Sequence, residues 1–192
     1  MPANPPRPRN AAVTREAILN SAIRNFARAG YDGVGVREIA GDAGVTAMLV
    51  NRYFGSKERL FAEAVETAFA PPVFIAENPQ AVARDAAAAL VARSAPDADD
   101  LAPFLIMLRS AANPRAVEIV REAIERHVGR RLAKQLPEPG RRLRSDVVLS
   151  VISGVLVMRR VVGARALNGR NTDQLAELLE AVFDAIIDTP LS

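Results

Sequence analysis

Between Ile39 and Phe54 the chain spaces its small, bending and apolar residues so tightly that they prescribe one local arrangement. Ala40, Gly44 and Val50 stand four and then six residues apart. Two short helices that cross steeply need a small residue where their backbones approach, a turn residue tolerant of positive φ, and an apolar residue that locks the second helix. The three residues meet those needs in that order, which is the spacing of a helix-turn-helix. Chance matches to so loose a pattern are common, and its flanks must carry the reading.

Upstream, Thr14 is a good N-cap, Ile18, Leu19, Ala22, Ile23 and Phe26 share one helical face, and Gly30 stands where a helix stops. After Gly35, Val36, Ile39, Ala40 and Ala43 recur at helical spacing with Glu38 at the third position, predicting a brief second helix. Gly44 ends it, Thr46 caps a third helix that buries Leu49, Val50 and Phe54, and Gly55 closes it. Ser56 caps a fourth helix, which runs through Leu60, Phe61, Ala64, Val65, Ala68 and Phe69 until Pro71 and Pro72 forbid its continuation. Beyond it, punctuation by Pro, Gly, Asn and Asp predicts helices over 79–93, 101–112, 114–136, 141–166 and 172–188. No strand pattern competes. The expected fold is all-α: a disordered tail over 1–12, a three-helix helix-turn-helix domain with linking helix four over 13–70, and five further helices over 71–192.

The polar residues around the turn suit a helix laid in a major groove, whose N-terminal residues must meet base edges among phosphate-binding donors. Thr46, Asn51, Arg52, Tyr53 and Lys57 are so placed. Asparagine pairs bidentately with adenine and arginine with guanine, while Lys57 adds a cation to backbone amides that already favour phosphate. Phe54 reads as core; Tyr53 serves either purpose, its ring packing while its hydroxyl reaches the surface. Residues 1–57 hold eight Lys/Arg against four Asp/Glu, a local +4 in a chain of net +3. That excess fits a polyanion surface or a solvated helical face. Arg7 and Arg9 could reach a groove, but the tail is expected to be disordered.

Composition narrows the alternatives. With 49% hydrophobic residues among 192, the chain can bury a core. Having no cysteine and one histidine, it lacks the means for disulfides, thiolate nucleophiles or a cysteine or histidine zinc cage. No glycine-rich phosphate loop, metal-ligand cluster or nucleophile beside a base is visible, so neither an enzyme nor a cofactor is expected. The acidic linker of Asp97, Asp99 and Asp100 lacks further ligands for a metal, and His127 is expected in a surface or satisfied polar role. The apolar run Val147 to Val157 ends at Arg159 and Arg160, short of the ~20 residues that span a bilayer. No secretory h-region follows the proline-rich start, and a cytoplasmic protein is expected.

Residues 14–69 resemble the N-terminal domain of the tetracycline-repressor (TetR) family. The resemblance rests on Thr14-Arg15-Glu16-Ala17-Ile18-Leu19, Phe26-Ala27-Arg28-Ala29-Gly30-Tyr31, Val36-Arg37-Glu38-Ile39-Ala40, Ala43-Gly44-Val45-Thr46 and Tyr53-Phe54-Gly55-Ser56-Lys57-Glu58. It implies that residues 47–53 form the recognition helix, with Ala47, Met48, Leu49, Asn51, Arg52 and Tyr53 toward DNA. It further implies that Thr46, Tyr53 and Lys57 touch phosphates, and that a homodimer binds a near-palindromic double-stranded operator. Arg37 completes the expected DNA-facing set. Gly35 stands where many relatives carry a capping Thr or Ser, and Leu49-Val50-Asn51 where many carry Thr-Leu-Tyr.

The resemblance further implies that 71–192 form an effector-binding and dimerisation domain, in which Phe104, Met107, Leu108 and Arg109, with Met158, are the expected ligand pocket for an unidentified small, apolar effector. Arg109 would pair with a ligand carboxylate or with Glu118 or Glu122. Leu149, Ile152, Ser153, Leu156 and Arg160, with Leu175, Leu178, Leu179, Val182, Phe183 and Ile186, are the expected dimer stripes. The same stripes would also suit an intramolecular core. A repressor released by its effector is the leading functional expectation; an activator or ligand-independent regulator, and more remotely a helical carrier or enzyme, are the alternatives.

Overall fold

The computed structural model describes residues 8–71, 81–95, 98, 101–169 and 172–191. Among them every regular element is a helix. They are α1 (Pro8–Ala29), α2 (Val36–Asp42), α3 (Ala47–Phe54), α4 (Lys57–Phe69), α5 (Val82–Arg93), α6 (Ala102–Ser110), α7 (Pro114–Ile124), α8 (Arg130–Ala133), α9 (Arg141–Leu156) and α10 (Thr172–Asp188). A π-turn, Glu125–Gly129, joins α7 to α8, and a second, Val157–Val162, extends α9. Helix α1 begins six residues before Thr14, within the expected tail. Pro8 is tolerated in a first helical turn, and no breaker stands between it and Thr14. The predicted helices over 114–136 and 141–166 are thus interrupted by π-turns, and the second stops at Gly163, whose φ is +71°.

Contacts divide the chain into two compact units: 1–68 with 105–121, and 69–104 with 122–192. Residues 105–121 therefore pack with the N-terminal helices, although the sequence assigns them to the C-terminal half. The reason lies in their backbone. Gly30 ends α1 at φ +73°, and a Cβ built there would lie 2.2 Å from the carbonyl oxygen of Arg109. Only glycine allows that approach. Around it, the Tyr31 amide donates to Ser110 Oγ at 3.1 Å, Arg109 donates to the Ala27 carbonyl, and Asn113 Nδ2 donates to the Asp32 carboxylate at 3.0 Å. Arg109 thus meets a main-chain carbonyl and not Glu118 or Glu122. Beneath these bonds, Phe26 and Tyr31 each meet the Phe61 ring edge-on at 4.9 Å.

Helix α2 is held on α1 by a polar node. Ser21, with no exposed surface, sits 2.9 Å from both the Ile39 carbonyl and Asp42 Oδ2, one proton shared between two acceptors. The same carboxylate oxygen accepts from Arg24 at 2.9 Å and from Asn25 at 3.2 Å. The Ser21 hydrogen bond, then the Arg24 guanidinium, hold the Asp42 carboxyl below the usual aspartate range.

In the second unit, α5 buries Val82, Ala83, Ala86, Ala87 and Leu90 and packs along α10, which turns Leu179 and Phe183 inward. Val128, Leu132, Val148, Ile152 and Leu156 complete that core. Its buried cations meet main-chain oxygens. Arg144 donates to the Ile186 and Thr189 carbonyls at the end of α10. Arg159 donates to the Val91 carbonyl at 3.0 Å and to Ser94 Oγ at 2.5 Å at the end of α5, while Arg160 takes the Ala95 and Ala98 carbonyls. A helix C-terminus offers unpaired carbonyls and partial negative charge, which suits a guanidinium. Burial, then the neighbouring Arg160, lowers the Arg159 pKa.

The expected dimer stripes are corrected by this packing. Ile152, Leu156, Leu179 and Phe183 belong to the protomer's own core, and Arg160 is spent on the 95–98 backbone. Leu149, Ser153, Leu175 and Ile186 are half-buried, whereas Leu178 and Val182 remain exposed. The apolar face of α9 that reaches solvent is instead Leu143 and Val147, continued by Met158 and Val161.

Two outcomes follow. Gly30→Ala should lower unfolding free energy by about 2 kcal/mol or more, because it adds both left-handed strain and a backbone clash. Gly41→Ala, with open space at its Cβ, should be neutral or stabilising by up to about 1 kcal/mol; equal urea midpoints for the two variants would refute the Gly30 contact. Asp42→Asn should be less stable than wild type at neutral pH. A depressed folded pKa gives stability that is present above the unfolded value and lost as pH falls through the folded one. The gap between the two proteins should therefore close below about pH 4, and a pH-independent gap in denaturation would count against the node.

Candidate nucleic-acid interface

The turn from α2 into α3 is built by backbone bonds that its glycines permit. Gly35 starts α2 in extended conformation with no side-chain cap. Gly44 takes φ +69°, and the Val45 amide donates to the Ala40 carbonyl at 2.9 Å, reversing the chain. Thr46 then caps α3, its Oγ1 accepting from the Leu49 amide at 3.4 Å. Val50 and Phe54 turn inward with 1% and 5% exposure, which fixes the opposite face outward. Gly55 closes the helix at φ +79°, and Ser56 Oγ accepts from the Arg59 amide to start α4.

That outward face carries Met48, Asn51 and Arg52, with Thr46 exposed at its start; Ala47, Leu49 and Tyr53 are half-buried along its flanks. Lys57, the first residue of α4, is half-buried with its Nζ 4.6 Å from the Tyr31 ring centroid, a cation–π contact that aims the ammonium. Burial first, then the carboxylates of Glu58 and Asp32, raises the Tyr31 pKa and keeps its phenol neutral. The Arg15 guanidinium lies over the Phe54 ring at 4.9 Å and pairs with Glu63, tying α1 to both α3 and α4. Arg37 is exposed on α2, beside a cleft of about 620 Å³ also lined by Arg24, Arg28, Glu38 and Asp42. Arg24 and Arg28 are paired there with Asp42 and Glu38. Among the described residues, Arg37, Arg52 and Lys57 have no carboxylate partner.

The nine residues expected to face DNA lie on α2, on α3 and its cap, and at the start of α4, all within the first unit. Periodicity did not find the Ser21, Asn25 and Asp42 node or the Tyr31 contact. Ser21 and Asn25 carried a signal, two polar residues one turn apart on the apolar face of α1.

The residues expected to line a ligand pocket fall in both units. Phe104 is buried with the second unit, Met107 and Leu108 are half-buried with the first, Arg109 is bonded to Ala27, and Met158 is 42% exposed. Two clefts of the second unit have other linings: one of about 330 Å³ beside Arg84, Glu180, Asp184 and Asp188, and one of about 400 Å³ beside Leu143, Val147, Val182 and Ile186. His127 is half-buried in the first π-turn and has an interaction partner. Arg7, Asp97, Asp99, Asp100 and the side chain of Arg9 lie outside the described residues. Among the described residues no cluster of His, Cys, Asp or Glu could hold a metal ion, and no helix is long and apolar enough to cross a membrane.

Residues 18–64 match the model of bacterial regulatory proteins of the tetR family, and residues 81–187 match that of the tetracyclin repressor-like C-terminal domain. The chain is 34% identical over 84 residues to the HTH-type transcriptional regulator BetI of Agrobacterium fabrum, covering 44% of this chain and 36% of that protein. It is 34% identical over 64 residues to the HTH-type transcriptional repressor NicS of Pseudomonas putida, covering 33% of this chain and 30% of that protein. These alignments span only about a third of the relatives' own length. A TetR-family regulator from Streptomyces coelicolor superposes over 97% of this chain and 100% of its own, with 25% identity and a TM-score of 0.58. The two family matches together take in both the helix-turn-helix and most of the C-terminal unit, and the chain belongs to the TetR family of helix-turn-helix transcriptional regulators.

Proposed function

We propose that the chain is a sequence-specific repressor that binds a near-palindromic operator as a homodimer and is released by a small-molecule effector. The observation that carries the DNA-binding part is the division of α3 into two faces. Val50 and Phe54 lock one face into the core, while the other offers Met48, Asn51 and Arg52 to solvent, and Arg37 on α2 and Lys57 at the start of α4 have no carboxylate partner among the described residues. Base-reading groups framed by phosphate-binding cations are what a major-groove helix needs. The repressor reading is supported by the relative NicS, a transcriptional repressor, and the effector reading by the likeness of residues 81–187 to a tetracyclin repressor-like C-terminal domain. The effector in this reading is a small, apolar molecule taken up by the C-terminal helices.

Dimerisation is supported by the exposed apolar residues of the second unit. Leu143, Val147 and Met158 on one element and Leu178 and Val182 on another leave apolar surface that a second copy would cover. Gly154 among them has open space where a Cβ would stand, which favours close helix approach.

Lys57→Ala should weaken binding to specific and random duplexes alike and reduce the salt slope by about one. Asn51→Ala and Arg52→Ala should instead lose discrimination by roughly 1–3 kcal/mol at the base each contacts. Titrations across salt concentrations measure both, and equal losses on all duplexes for the three variants would overturn this division of labour. Leu178→Arg should give a folded monomer by light scattering with weakened operator binding; an unchanged dimer would exclude this face.

A further inference from the structure

Met48 is 79% exposed, the highest value among the large hydrophobic side chains of the described residues, yet it stands in the first turn of the helix that carries Asn51 and Arg52. It has no place in the core, which Val50 and Phe54 of the same helix enter. Asn51 and Arg52 follow it by three and four residues, so all three share one face. Three residues of α-helix rise about 4.5 Å, comparable to the ~3.4 Å between stacked base pairs. Side chains at 48 and 51 therefore span the same or adjacent base pairs. The only apolar group exposed by a base in the major groove is the thymine C5-methyl, which aliphatic contact distinguishes from cytosine.

Resting on the DNA-binding reading above, we infer that Met48 is a specificity-determining residue that packs on a thymine methyl, within about one base pair of the base read by Asn51. The half-site is read by a mixed code: apolar contact from the first turn of α3, hydrogen bonds from the second. A thioether on an unbranched stem suits this contact, because it can follow the methyl without needing a fixed rotamer.

The test starts with selection of duplexes from a random library by the full-length protein. In the enriched duplex, thymines are replaced singly and in symmetric pairs by deoxyuridine, which removes the methyl and keeps the pairing edge. Affinities of wild type, Met48→Ala and Met48→Gln are then compared at fixed salt. Losing one buried methyl should weaken wild type about fourfold, and the symmetric pair about fifteenfold in a dimer. Met48→Ala and Met48→Gln should be indifferent to that replacement, and on the thymine duplex should bind about as weakly as wild type binds the duplex carrying the symmetric deoxyuridine pair. Wild type tolerating deoxyuridine at every position within twofold, an enriched half-site without thymine, or an equal penalty in the variants would each overturn the assignment. Enrichment of no duplex by wild type would instead remove the DNA-binding reading, and this inference with it.

Discussion

The hydroxyl of Ser21 fixes where the helix-turn-helix sits. It is fully buried, it reaches the Ile39 carbonyl and the Asp42 carboxylate, and it joins the middle of α1 to the end of α2. A buried polar group is costly when unpaired, so the node is satisfied in one relative position of the two helices and penalised in neighbouring ones. Helix α3 follows α2 through the turn at Gly44. Its outward face is therefore aimed by a bond made between α1 and α2. Recognition of bases tolerates placement errors of only a few tenths of an ångström, which apolar packing alone specifies poorly.

A second constraint keeps the first unit whole. Gly30 lets the Arg109 backbone approach α1, and the bonds from Tyr31, Ala27 and Asp32 hold residues 105–121 there. Tyr31 takes part on both sides, its amide bonded to Ser110 and its ring beneath the Lys57 ammonium. One residue of the turn after α1 thus joins a distant segment of the chain to a cation of the proposed DNA-facing surface.

The N-terminal helices were legible because their information is local. Periodic apolar residues, Gly30, Gly44 and Gly55 as stops, and Thr46 and Ser56 as caps need no knowledge of distant partners. The C-terminal half is different. Helix α9 carries apolar residues on nearly every face, from Leu143 and Val147 outside to Val148 and Ile152 inside, so helical spacing cannot say which face turns inward. The stripe through Ile152 and Leu156 was periodic but belongs to the core. Arginine partners were hidden for a related reason. Arg109, Arg144, Arg159 and Arg160 bond to main-chain carbonyls, and a carbonyl has no identity in the sequence. A reader looking for carboxylates is led to Glu118 and Glu122. The π-turn at Val157–Val162 likewise leaves no mark in a run of apolar residues.

Sequence-specific binding through α3 is the claim on which the other functional statements stand. Its most direct test is selection of genomic fragments by the purified protein at moderate salt, followed by footprinting of the bound fragments. Enrichment of a near-palindromic site protected symmetrically about its centre is the predicted result. Failure to enrich any site, or protection that ignores sequence, would contradict it.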